Sequence, residues 1–459
     1  MLAGLLTLGV AACTDDPGAQ EESGGTGSTS EAMPTTSTAT PNADSDSDSD
    51  AGSATGSDAG SSSGPSTGSS DGGDDESSTG GEPACVVFVD GTLGDDGQSG
   101  ASWDDARRTI GAGLDAAEAE ACDVWVTEGV YMPTADDDPL AAIELFAGAR
   151  VFGGFVGDET TLDERDFEAH PTVVTGDIGV ADDDTDNSHH VVVAADGGRL
   201  DGLTVRAGRP TVDAAQRDGA GLLALGGTLT IANCRFEDNR AADAVLPVAG
   251  AIGDAGGAGG AVWFQGEALH ILGSTFVGNA AGRGAEGSGI SGAGGDGGAV
   301  HFDGTELAVE DSRFDANEAG AGAPTGNIAG NGGRGGAIAI VSGAAVVTGT
   351  TFADNLAGDG GGDGGLGGAG GGGGGIATRG GSLEVRSCDF VDNRGGNGGT
   401  ATNNGGFGGG GAAISAQAGT LLVDDSGFES NTAGDSGVGG LTTAGGPGGA
   451  IQSFTDQLT

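Results

Sequence analysis

Leu229-Thr230-Ile231-Ala232-Asn233-Cys234-Arg235-Phe236-Glu237-Asp238-Asn239 is answered by Leu269-His270-Ile271-Leu272-Gly273-Ser274-Thr275-Phe276-Val277-Gly278-Asn279. The same frame returns at Phe314, Phe352, Phe390 and Phe428, so the phenylalanines step by 40, 38, 38, 38 and 38 residues. Three positions after each stands an asparagine: Asn239, Asn279, Asn317, Asn355, Asn393 and Asn431. Two before each is a small Cys, Ser or Thr, and five before is a β-branched Ile or Val. Upstream, a glycine-rich stretch arrives at an aliphatic residue: Leu222, Val262, Val300, Ile338, Ile376, Ile414 and Ile451.

Within the frame, apolar and polar residues alternate with period two, which is the signature of short strands with one buried face. Pairs such as Glu310-Asp311 and Asp424-Asp425 interrupt the alternation and mark a corner before a further strand. Helical repeats need two helices per period, and Gly360 to Gly375 cannot form one. A propeller blade needs four strands, whereas three short ones and a glycine-rich segment fill this period. The remaining architecture is a parallel β-solenoid with one coil per repeat, each strand lying about 4.8 Å above its predecessor. Phe then stacks on Phe inside, and the asparagines form a ladder whose amides bond to the coils above and below.

Composition agrees. Of 459 residues, 101 are Gly and only 4% are aromatic, so a thin core must be shared between repeats rather than filled by bulk. Sixty-eight acidic residues face 16 basic ones, all of them Arg, for a net charge of -52. Such a chain repels polyanions, which excludes nucleic acid and disfavours acidic polysaccharides and bare docking on anionic lipid. Calcium, cationic partners and neutral glycans are compatible with it.

Leu-x-Ile/Val-x-x-Cys/Ser-x-Phe-x-x-Asn-x-Ala resembles the repeats of the polymorphic outer membrane proteins, and the wider group of right-handed parallel β-helix proteins related in fold to pectin lyases. Phe88-Val89-Asp90, Ser102-Trp103-Asp104-Asp105-Ala106, Val124-Trp125-Val126-Thr127, Val151-Phe152-Gly153-Gly154-Phe155 and Thr175-Gly176-Asp177-Ile178 look like the opening coils of that group. The likeness covers residues 85–459 and implies an all-β, single-stranded right-handed parallel β-helix with glycine-rich loops. It also implies a cap helix over the first coil, for which Asp104 to Ala121 has the spacing of Ile110, Leu114 and Ala117.

Met1 to Ala12 is an apolar run too short to span a bilayer, and Val10-Ala11-Ala12-Cys13 resembles the end of a bacterial lipoprotein signal. The resemblance implies lipidation at Cys13, export, and a place on the bacterial outer membrane or cell surface. No Arg or Lys precedes the run, a departure from that pattern that leaves open a start upstream of Met1. Residues 14–84 are Ser, Thr, Gly, Asp and Pro with almost no large apolar side chain, a composition predicting a disordered acidic linker. The expected organisation is therefore a signal segment at 1–13, a linker at 14–84, a cap helix with irregular first coils at 85–218, and regular repeats at 219–459. The chain ends soon after Ile451 without the Phe and Asn of the repeat frame, which leaves the last coil short.

No residue earns a catalytic assignment from the pattern alone. Asp238, Asp354 and Asp392 precede ladder asparagines, where turn chemistry explains them. Asp182-Asp183-Asp184-Thr185-Asp186-Asn187-Ser188-His189-His190 offers hard oxygen donors for calcium, but a solvated loop leading into a strand explains it more simply. His270 and His301 lie on different strand types, face outward and need not meet. Cys85 and Cys122 flank the first strand and cap helix and are disulfide candidates in an exported chain. Cys234 and Cys388 share one repeat position four coils apart, about 19 Å along the axis. They are expected to be buried free thiols.

Two functions fit these observations. The first is a non-enzymatic, surface-displayed scaffold or adhesin, anchored in the membrane through its lipid and presenting mobile glycine loops to another cell, glycan or matrix, with no cofactor required. The second is a polysaccharide lyase or glycoside hydrolase, whose carboxylates would cluster between Val151 and Arg217.

Overall fold

The computed structural model describes residues 85–210, 217–245, 252–417, 419–441, 443–454 and 457–458. Cys13 and the linker lie outside them. The described chain is a parallel β-solenoid of about nine turns. Each coil contributes three strand positions. The first runs through Val192–Ala194, Leu222–Leu225, Ile376–Thr378 and Ile414–Ala416; the second through Gly198–Asp201, Thr228–Ala232, Ser382–Arg386 and Thr420–Asp424. The third row, from Gly129–Tyr131 to Gly427–Glu429, forms a separate nine-stranded sheet. In three central coils the first two strands run on as single eleven-residue strands, Val262–Leu272, Val300–Glu310 and Ile338–Thr348. The corner expected at Glu310-Asp311 follows the end of such a strand, at left-handed Asp311.

Register follows the repeat residue for residue. Phe236 pairs with Phe276, then Phe314, Phe352, Phe390 and Phe428. Neighbouring rings stand 4.7–5.1 Å apart and within 7° of parallel. Each such pair contributes about 0.5–1.5 kcal/mol beyond its burial. The asparagine ladder is continuous as well. Asn355 donates from Nδ2 to Asn393 Oδ1 and to the Phe314 carbonyl, while its own Oδ1 accepts from the backbone N–H and Nδ2 of Asn317. Both corners flanking the Phe strand require left-handed backbone. One column holds Asn233, Asp311, Ser387 and Asp425; the other holds Asp238, Ala316, Asp354, Asp392 and Ser430, all with φ between 44° and 55°. Asn and Asp tolerate that region best, so these acids are turn residues.

The glycine segments depart from expectation. They are not mobile loops but a second, hydrogen-bonded layer alongside the sheets. An outgoing and a returning leg of each coil lie side by side and zigzag up the molecule. Gly333 N–H donates to Gly320 O, Gly358 to Gly333, Gly371 to Gly358 and Gly396 to Gly371, each at 2.8–2.9 Å. A second set joins each leg to the same leg one coil on: Ala329 to Leu366, Gly332 to Ala369 and Gly335 to Gly372. Bonds of each kind recur every third residue, the period of a polyproline-II-type helix. At the remaining, outward position an Asp or Asn one coil below often accepts from the exposed N–H. Asp243 serves Arg283, Asp296 serves Arg334, Asn331 serves Ala369 and Asp359 serves Asn397. Glycine is demanded by space: a Cβ on Gly371 would lie 1.8 Å from the Gly333 carbonyl oxygen.

At the N-terminal end, helix Ile110–Ala117 buries Ile110, Leu114 and Ala117 over the first coils. It starts later than expected because Asp96 Oδ1 takes the backbone N–H groups of Arg108 and Thr109, and Thr109 then caps the helix. Outside the first sheet a small second core gathers Trp125, Phe152 and Phe155, with Phe88, Trp103 and Leu162 against it.

Candidate functional site

Between Val151 and Arg217 the structure shows how the acids are used. Asp201, on the outer strand face, is buried and held by Arg165 at 2.6 Å, Arg199 at 2.6 Å and Asn233 Nδ2 at 2.9 Å. Both arginines also lie over the Phe152 ring. In the Asp182–His190 segment, Asp183 binds Thr185, Asp186 binds the Val180 N–H and Asp184 pairs with Arg209. Asn187, Ser188, His189 and His190 are buried rather than solvated, contrary to the simple loop reading. They are pulled inward because Asn187 Nδ2 bonds the Ala207 carbonyl and His190 Nδ1 the Gly219 carbonyl. Burial holds His190 below the usual imidazole range. Among the described residues, the trio of His, Cys, Asp or Glu ligand atoms close enough to share an ion is Cys85, Glu120 and Cys122. Its two sulfurs are already joined as the expected disulfide, with Cα atoms 4.8 Å apart.

Cys234 and Cys388 are buried free thiols, and burial pushes Cys234 up to about 12. In the Cys13→Ser chain at pH 8, neither thiol is expected to react with iodoacetamide until denaturant is added. Reduction after denaturation should then release two more reactive cysteines, giving four by mass.

The face that gathers chemistry lies elsewhere, in the concave corner between the first strand row and the returning glycine legs. One outward column of that row reads Trp263, His301, Ala339, Ala377, Ser415, Gln452. Trp263 and His301 stack with ring centres 6.1 Å apart and planes 4° from parallel. His270 sits in the second row, paired in register with Thr230 and Ala308, so the two histidines do not meet. Each returning leg turns into its strand at a left-handed glycine, among them Gly297, Gly335, Gly373 and Gly411. The residue before that glycine borders the corner: Asp218, Ala258, Asp296, Arg334, Gly372, Gly410 and Pro447.

Polar groups there are interlocked. Asp296 accepts from the Arg334 backbone at 2.7 Å and from Arg379 Nη2 at 2.5 Å, and Arg334 Nη1 reaches Gln417 Oε1 at 2.5 Å. Burial lowers the Arg334 guanidinium, and Arg379 beside it adds to that. His301 is likewise lowered, first by burial and then by Arg379, against the opposing pull of Asp296, Asp218 and Asp303. Its Nδ1 is closed off from solvent and has no hydrogen-bond partner among the described residues. Toward the C-terminal coils the corner opens into a cleft of about 400 Å³ lined by Arg334, Phe407, Ser415, Gln417, Gln452 and Phe454. The Phe407 and Phe454 rings are 60% and 64% exposed.

Sequence reading placed His301 outward but missed this polar corner. The available signal was Trp263 standing one residue after its arrival aliphatic, as His301 does, which puts both in one column. Arg334, Arg379 and Gln417 gave no such signal, since each occurs once in its column. The chain matches no protein-family model and no curated protein. Among the described residues no helix is long and apolar enough to cross a membrane.

Proposed function

We propose that this chain is a lipid-anchored, surface-displayed β-helix of the pectin-lyase-like group with polymorphic outer membrane protein-type repeats. In this reading it is an adhesin-like scaffold binding another cell, a glycan or a matrix without cleaving it. Cys13 carries the lipid, and residues 14–84 act as the tether that holds the solenoid off the outer membrane. The observation that carries the reading is the regularity of the solenoid, whose phenylalanine stack and asparagine ladder run unbroken from Phe236 to Asn431. Asp296 and Asp201 are both committed to arginines, and Asp296 to a backbone N–H as well.

The polysaccharide lyase or glycoside hydrolase reading has one observation in its favour. His301 carries an unpaired Nδ1 beside Asp296 and Asp303, a neutral imidazole among carboxylates. The Cys13→Ser chain, incubated with bacterial cells, extracellular matrix and a panel of polysaccharides, separates the two. Retention without new sugar ends supports the scaffold; sugar ends that vanish in Asp296→Asn make it an enzyme.

A further inference from the structure

We propose that the outer flank of the returning glycine legs is a homophilic docking face, on which a second copy of this chain lies antiparallel. This rests on the reading of the chain as a tethered scaffold that binds another cell, and it names the partner on that cell. Every third residue of a returning leg points out of the glycine layer, and like positions stack from coil to coil. One such column is Ile252, Ile290, Ile328, Leu366, Asn404 and Leu441. Its aliphatic side chains are 39–66% exposed, an apolar ridge on a chain of net charge -52. Three residues on runs a lower column, Ala255, Ala293, Asn331, Ala369, Phe407 and Ala444. Neither column holds a charge. The outgoing legs obey the same glycine constraint, yet their outward columns carry Arg240, Glu318 and Arg394 in one and Asp243, Arg283, Asp359 and Asp435 in the next. Building the layer therefore does not require an apolar flank, and the ridge belongs to something outside it.

A ridge beside a trough is self-complementary. A two-fold axis perpendicular to the flank and midway between the columns lays each ridge over the partner's trough, an isologous contact. The same axis sets the two solenoids antiparallel. Each tether enters its solenoid at Cys85, before the first strand, so the pair sends its tethers out at opposite ends, as copies anchored on two facing cells require. An uncharged face is where two strongly negative chains can meet, since like charges oppose contact elsewhere. Lipid has no use for the trough, and anionic headgroups repel this chain. Five coil steps of about 4.8 Å by about 9 Å between columns, with side-chain width added, give a patch of about 400 Å². That is half of the about 800 Å² per partner of a stable pair, so one contact is weak, and many copies facing one another across two cells make it firm. The locked glycine layer presents both columns with little left to order on contact.

The test is clumping of beads that carry the full chain coupled through Cys13, in place of the lipid. Wild-type beads are expected to clump in salt of about 0.15 M, and at least tenfold less at about 0.01 M, where repulsion reaches about 30 Å. Ile290→Asp combined with Ile328→Asp should lower clumping at least tenfold, both between variant beads and against wild-type beads. Ile252→Asp and Leu441→Asp, at the most exposed ends of the ridge, should each lower it severalfold with thermal unfolding unchanged. Ala321→Asp, on the outgoing flank, should change neither. Clumping indifferent to the ridge substitutions, or none between beads carrying folded chains, overturns the docking face. Binding of those unclumped beads to cells, glycan or matrix then leaves the scaffold reading standing, and no binding at all removes both. Flotation with neutral phosphatidylcholine vesicles that the ridge substitutions abolish, without clumping, gives the ridge to lipid and also overturns self-docking.

Discussion

Gly371→Ala is expected to destabilise the solenoid by at least about 3 kcal/mol, the upper range for overpacking a filled site. Its new Cβ would stand 1.8 Å from the Gly333 carbonyl oxygen, a backbone atom with no rotamer to yield. Gly371 also donates to Gly358 and accepts from Gly396, so any shift breaks bonds to two neighbouring coils. Gly111→Ala is the control. That glycine lies in helix Ile110–Ala117 with nothing within 4 Å of a Cβ, and the change should be neutral or stabilising by about 0.5 kcal/mol. Urea unfolding followed by circular dichroism would report both. Equal, small effects would mean that glycine in the layer serves flexibility rather than close approach.

Asn355→Ala should cost about 3–5 kcal/mol, because each buried hydrogen-bonding group left without a partner costs about 1–3 kcal/mol. The substitution strips the Phe314 carbonyl of its side-chain donor and leaves the Asn317 backbone N–H and Nδ2 without their acceptor. All of these groups are closed off from water, and alanine supplies none of the missing partners. Asn431, on the last rung and half-buried, should tolerate the same change at about 1–2 kcal/mol, since water can replace what is lost. A flat response along the ladder would show that the asparagines act independently of burial.

The contrast between these residues explains what the sequence made legible. Phe236 and its successors are large, apolar and identical in type, so stacking leaves a mark at every 38th position, and the asparagines mark the corner beside them. Cys85 and Cys122 were legible for a different reason, being the pair that flanks one strand and its cap. The glycine layer was opaque because two opposite physical demands, freedom and close approach, select the same residue. Gly358 to Gly375 reads as a flexible loop until the carbonyl beneath each glycine is seen. The polar corner was harder still. A repeat advertises what every coil shares, whereas Trp263, His301, Arg334 and Arg379 are what individual coils do differently. In the Asp182–His190 segment, composition suggested solvent exposure, and tertiary bonds from Ala207 and Gly219 overrode it for the last four residues.

Ordered glycine matters to function as well as stability. A cleft walled by mobile loops would have to freeze them on contact, at a backbone cost of about 1–2 kcal/mol per residue. A wall already locked by bonds such as Gly396 to Gly371 and Gly409 to Gly396 keeps Arg334 and Phe407 in place before any ligand arrives.

Native-state hydrogen exchange of peptides from Gly358 to Gly375 and Gly395 to Gly411 tests the central claim most directly. Protection approaching that of the Phe352 and Phe390 strands is the expected result, since most of these glycine amides donate to carbonyls of neighbouring legs. Exchange at the rate of an unstructured chain, while the strands stay protected, would contradict the second layer and return the glycine segments to the role of loops.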